Sequence, residues 1–148
     1  MHSFVSCLIH CVWATKERRP VIKTDLQQRL WPYLGGIARE NKMKALVVGG
    51  VEDHVHILLS IPSTLSVAKS VQLLKGKSSK WIHDTFQEHR GFEWQEGYGV
   101  FSIGVSGVAD TTNYIQGQVE HHRKMTFQEE LEIFLQKHGM EYVEQDLE

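Results

Sequence analysis

Residues 53–61 read Asp-His-Val-His-Ile-Leu-Leu-Ser-Ile, an alternation that suits a β-strand and no amphipathic helix. In a strand, Val55, Ile57, Leu59 and Ile61 project from one face while His54 and His56 project from the other. Once the apolar set fills a core, both imidazoles stand on the opposite face, with Cα atoms about 7 Å apart. A second alternation sets Val5, Cys7, Ile9, Cys11 and Trp13 against Phe4, Ser6, Leu8, His10 and Val12, which predicts a first strand over about 3–14. Strands of this kind demand a sheet whose apolar side is covered by other elements.

The rest of the chain supplies them. Lys16 to Pro20 form a basic loop. Thr24 or Asp25 caps a helix reaching about Asn41, with Leu26, Leu30, Tyr33, Leu34, Ile37 and Ala38 on its buried side. Gly35 and Gly36 inside it weaken the helix and point to close packing. Residues 43–51 and 54–61 read as the second and third strands, joined as an antiparallel hairpin by Glu52 and Asp53. Ser63, Thr64 or Ser66 starts a helix to about Phe86, striped by Leu65, Ala68, Val71, Leu74, Trp81 and Ile82 and bent at Gly76. A loop over 87–97, a fourth strand over 98–103 and helices over 110–123 and 126–138 complete the chain, the last ended by Gly139. The first six elements follow the split βαβ order, so the expected class is α+β and ferredoxin-like. That fold is a four-stranded antiparallel sheet with the first and third strands in the middle, here with extra C-terminal helices. Residues 1–148 show no linker or repeat and read as one domain.

The 148 residues are 41% hydrophobic and 23% charged, which argues for a packed core and against disorder. No apolar run approaches the roughly 20 residues of a membrane span, and no basic region precedes a secretory core, so a cytoplasmic protein is expected. Cys7 and Cys11 would lie about 13 Å apart on an extended chain, too far for a disulfide. The net charge of −2 hides an asymmetry: residues 1–125 carry 15 basic against 11 acidic side chains, and residues 126–148 one Lys against seven acids. A basic body of that size permits a phosphate-bearing partner without requiring one.

Two histidines on one strand face can converge on a metal ion, although partly exposed strand histidines satisfy the same pattern. In the helix after the fourth strand, Tyr114 and Gln118 are four apart and share a face that His121 and His122 extend. Packed over the histidine face, that helix offers a phenol and an amide oxygen beside the metal pair. A phenol near pKa 10 needs activation to act as a nucleophile, and a metal-polarised phosphate would ease its attack. Tyr33, Tyr98 and Tyr142 compete for that role, but none has a ligand-type residue one helical turn away on the same exposed face. Basic residues cluster at Lys16, Arg18 and Arg19, at Lys75, Lys77 and Lys80, and at Arg123 and Lys124. Trp13, Trp81 and Phe127 lie near enough in sequence to stack on bases. No Gly-x-Ser-x-Gly elbow or Walker-type phosphate loop is present.

Six stretches, in order, carry a family likeness over nearly the whole chain. They are Val12-Trp13-Ala14-Thr15-Lys16, Val51-Glu52-Asp53-His54-Val55-His56, Leu74-Lys75-Gly76-Lys77-Ser78-Ser79, Trp94-Gln95-Glu96-Gly97-Tyr98-Gly99, Tyr114-Ile115-Gln116-Gly117-Gln118 and Glu120-His121-His122. With Gly139-Met140-Glu141-Tyr142 they make the chain resemble the IS200-like, single-tyrosine HUH transposases of small insertion sequences. The chain also looks close to their chromosomal relatives, the REP-associated tyrosine transposases. The resemblance implies that His54 and His56 are metal ligands, that Gln118 is a third, and that Tyr114 is the nucleophile. It implies Mg²⁺, with Mn²⁺ able to substitute, and a homodimer. The implied activity is nicking and strand transfer of single-stranded DNA beside a hairpin, through a 5′-phosphotyrosine. DNA contacts at Lys16, Arg18, Arg19, Lys75, Lys77, Lys80 and Arg123 are expected on the same ground. Two other readings remain: a non-catalytic, domesticated module that binds hairpin nucleic acid, and a metallohydrolase using His54 and His56 with water.

Overall fold

β1 (Leu8–Ala14) lies inside a four-stranded antiparallel sheet in the computed structural model, which describes residues 1–147. It pairs on one side with β3 (His54–Ser60), placing Val12 opposite His56 and Ala14 opposite His54. On its other side runs β4 (Gly99–Ile103), and β2 (Lys44–Val51) pairs with the outer edge of β3. The order β2-β3-β1-β4 puts the first and third strands in the middle, as the split βαβ pattern predicts.

The alternation decides what each face does. Ile9, Cys11, Trp13, Val55, Ile57 and Leu59 form one core with α1 (Thr24–Glu40) and α2 (Val67–Thr85). α1 contributes Leu26, Leu30, Leu34, Ile37 and Ala38, a stripe repeating every three to four residues. α2 is capped by Ser66, whose side chain accepts the Lys69 backbone N–H at 3.0 Å. The opposite face carries His10, Val12, Ala14, His54 and His56 and is covered by α3 (Val108–Gln116), α4 (Gln118–His121) and α5 (Phe127–Lys137). Phe127, Leu131, Phe134 and Leu135 of α5 pack on Val12, Ala14 and Phe101, a second and smaller core.

Several boundaries and local readings differ from expectation. The first strand starts at Leu8, and residues 1–6 are exposed, so the alternation there has no partner strand. The helix expected over 110–123 begins at Val108 and breaks at Gly117 into α3 and α4. Gly35 has no neighbouring atom within 4 Å of a built Cβ and Gly36 only the end of Arg39, so close packing is not their use. Gly49 in β2 is the glycine that permits a close approach: a Cβ there would sit 2.7 Å from the Ile115 carbonyl of α3. Trp13 and Phe127 are buried in the two cores and are not free to stack on bases. Among the described residues, no helix is long and apolar enough to cross a membrane.

Candidate metal centre and nucleophile

His54 and His56 stand on the same face of β3 and both are fully buried, because α5 closes over them. Each has its Nδ1 held from behind. The His54 Nδ1 lies 2.6 Å from Asp53 Oδ1, and since a carboxylate only accepts, that nitrogen carries the hydrogen. The His56 Nδ1 lies 2.8 Å from Nε2 of His10, its diagonal neighbour on β1, which stands opposite Leu58. When His56 offers Nε2 as a lone pair, its Nδ1 donates and His10 accepts. Such partners fix the tautomer and ring angle of metal-binding histidines. Burial and the nearby His56 lower the His10 pKa to about 3, so His10 stays neutral and able to accept.

The two Nε2 atoms face a common point. Gln118 Oε1 lies 3.3 Å from His54 Nε2, and Glu130 Oε1 lies 2.9 Å from His56 Nε2 and 3.5 Å from His54 Nε2. His54, His56, His122 and Glu130 each offer one ligand atom, all within 4.8 Å of one another. Imidazole nitrogens with a carboxylate and an amide oxygen, and no thiolate, fit a divalent cation of mixed N and O preference.

Tyr114 reaches the other oxygen of the same carboxylate. α3 lies against β2 and β3, helped by Gly49, and the Tyr114 hydroxyl donates to Glu130 Oε2 and lies 3.1 Å from His121 Nε2. Burial, with the charge of Glu130 and the hydrogen bond to it, raises the Tyr114 pKa, so the phenol is neutral at physiological pH. Burial by itself would raise the Glu130 carboxyl, but hydrogen bonds from His122, His56 and Tyr114 together outweigh it and hold the acid well below the usual range. His122 titrates higher than an ordinary histidine: burial opposes its charge, and the Glu130 carboxylate more than compensates. Burial pushes the His56 pKa down despite the same carboxylate.

The basic residues divide between the layers. Arg18, Arg123 and Lys124 line an open groove of about 900 Å³ that also touches Asp53 and His122. Arg18 donates to the Gln128 side chain at 3.2 Å and to the Leu147 carbonyl at 2.9 Å. Lys75, Lys77 and Lys80 belong to α2, across the sheet from the histidines. Lys75 donates to the carbonyls of Gln95, Glu96 and Gly97, and Lys80 pairs with Asp84 at 2.7 Å. Lys16 and Arg19 are exposed and paired with Glu93 and Glu17. A second recess of about 520 Å³ opens onto Tyr114 and Glu130 between Phe101, Ser102, Phe134 and His138.

His54, His56, Tyr114 and Gln118 therefore meet in one cluster, whereas the α2 lysines do not join it. Sequence reasoning missed His10, the supporting role of Asp53, and Glu130. Glu130 had a legible signal: it falls on the apolar stripe of Phe127, Leu131, Phe134 and Leu135, where a carboxylate is out of place unless it is paired.

Residues 3–118 match the model of the family described as transposase, IS200 like. The transposase of insertion sequence element IS200 from Salmonella typhimurium is 30% identical over 127 residues, covering 82% of this chain and 83% of that one. A candidate transposase of known crystal structure from Deinococcus radiodurans R1 superposes with a TM-score of 0.66 at 25% identity, covering 80% of this chain and 95% of that one. A REP-associated tyrosine transposase solved with a REP hairpin shares the fold, with a TM-score of 0.61 at 13% identity over 82% of this chain and 72% of that one.

Proposed function

Because the chain belongs to the IS200-like transposase family, we propose that it nicks and rejoins single-stranded DNA at hairpin ends through a tyrosine nucleophile. The supporting observation is that the Tyr114 hydroxyl and the Nε2 atoms of His54 and His56 converge on one buried carboxylate. A nucleophile and a pair of metal-ligand atoms held that close suit phosphoryl transfer better than binding alone.

In this reading His54, His56 and Gln118 hold a divalent ion, Mg²⁺ or Mn²⁺. When bound, that ion polarises the scissile phosphate and offsets the charge that develops on it. Tyr114 Oη forms the new bond to phosphorus as the bond from phosphorus to the 3′-oxygen breaks. The phenolic proton leaves as the ester forms, and the released 3′-oxygen takes up a proton. The product is a 5′-phosphotyrosine and a free 3′-OH, and attack by another 3′-OH reverses the step without an external energy source. Asp53 keeps His54 in the tautomer that presents Nε2, and His10 holds the His56 ring by its Nδ1. Arg18, Arg123 and Lys124 share their groove with Glu52, Asp53 and Glu129, and in this reading they are the cations that meet the strand's phosphates beside His122. Tyr114 lies beside the histidines of its own chain, so each subunit of the expected homodimer carries a complete site in this arrangement.

The test is a denaturing gel of wild-type protein mixed with 3′-end-labelled single-stranded DNA from the flanks of its own gene, with Mn²⁺ or Mg²⁺. Label retained on the protein, and lost in Tyr114→Phe, supports the reading. Tight hairpin binding with no adduct under any metal favours the non-catalytic module. Metal-dependent cleavage without an adduct favours a hydrolase.

A further inference from the structure

One side chain touches both halves of the proposed site, and it lies beyond residues 3–118 that match the family. Building on the function proposed above, we propose that Glu130 is a catalytic residue of this chain: a ligand of the divalent ion and the acceptor that holds the Tyr114 hydroxyl.

Its two oxygens are divided between those tasks. Oε1 sits 2.9 Å from His56 Nε2 and 3.5 Å from His54 Nε2, the two atoms an ion would share. Oε2 accepts from Tyr114 and faces the Nε2 atoms of His121 at 3.3 Å and His122 at 3.1 Å. The residue is 2% exposed. Its position is set by packing: Thr126 caps α5 by accepting the Glu129 N–H at 3.2 Å, and the apolar residues on either side of Glu130 seat the helix on the sheet.

Charge gives the second argument. His54, His56 and Gln118 are neutral ligands, so with them alone the full double charge of an ion falls to the phosphate and solvent. A buried carboxylate at the same point neutralises half of it, and a cation in turn relieves the several kcal/mol that burying an unpaired carboxylate costs. One residue then ties the nucleophile to the ion, so displacing α5 removes a ligand and frees the tyrosine in one movement.

A carboxylate that only plugged the site until DNA displaced it would occupy the same place, but its removal has the opposite effect. The experiment uses the full chain stripped of metal, with Mn²⁺ alone as the probe, followed by calorimetry and by the paramagnetic resonance of the bound ion. Glu130→Gln keeps the size and loses the charge. It is expected to weaken Mn²⁺ binding at least tenfold and to lower adduct formation on hairpin DNA at least a hundredfold. Unchanged Mn²⁺ affinity, or adduct formation as fast as wild type or faster, overturns the proposal. If wild-type protein forms no adduct with any DNA, the transposase reading fails, while the Mn²⁺ comparison still decides whether Glu130 is a ligand. Should Glu130→Gln fail to fold, Glu130→Asp replaces it: its oxygens stop one carbon short of both histidines, and wild-type Mn²⁺ affinity there overturns the proposal.

Discussion

Asp53 and His10 hold the two strand histidines from behind, and neither needs to touch DNA to matter. Asp53→Ala is expected to weaken Mn²⁺ binding by about 10–100-fold, read by calorimetry, with an unchanged circular-dichroism spectrum. His10 makes a separate prediction about pH. Its pKa falls from 6.5 to about 3 on folding, so below pH 6.5 the unfolded chain binds a proton that the folded chain refuses. Stability from this residue is therefore complete above pH 6.5 and is lost as pH falls toward 3. At pH 5 the loss is about 2 kcal/mol relative to neutral pH, and His10→Gln should remove that part of the slope in metal-free urea melts. Tyr114→Phe should abolish the adduct and leave hairpin binding within about twofold, since only a hydroxyl is removed. At this scale His54, His56, Tyr114 and Gln118 were legible because strand and helix periods put each pair on one face. His10 was legible as a same-face residue, but only the β1–β3 register makes it the neighbour of His56. Glu130 stood out on its stripe, yet the period of a helix cannot tell which cavity that stripe closes.

The contact between β2 and α3 decides where the tyrosine stands. A methyl group on Gly49 would meet the Ile115 backbone, one residue after Tyr114, so Gly49→Ala must push α3 away from the sheet. The expected result is a loss of about 1–3 kcal/mol in urea melts, with adduct formation falling further than stability alone accounts for. The strands and the two long helices were readable from alternation, stripes and caps, because each pattern reports a local period. Their junctions were not. The break at Gly117 turns α4 so that Gln118 can reach His54, and a continuous amphipathic pattern over 110–123 concealed it. The N-terminal alternation likewise extends past the strand, because apolar spacing cannot show that β3 stops at Ser60. The basis of α5 is different again: the helix was expected over 126–138 in an acidic stretch, and its spaced apolar residues seat it on the sheet.

Across the whole molecule, two of the basic clusters lie on opposite layers: Arg18, Arg123 and Lys124 at the groove, and the α2 lysines behind the sheet. If single-stranded DNA follows the groove, Arg123→Gln should reduce the slope of log affinity against log salt by about 0.7, the value for one lost phosphate contact. Lys77→Gln tests the other layer in the same titration: an equal drop places DNA on both sides of the sheet, and no change confines it to the groove. The order of the chain adds a matter of timing. β1, β3 and the tyrosine helix are all made before α5, so a growing chain on the ribosome carries a histidine face that α5 does not yet cover. Only after α5 emerges and docks are the imidazoles sealed and the tyrosine held. Until then the nascent protein has the parts of the site without the helix that closes over them.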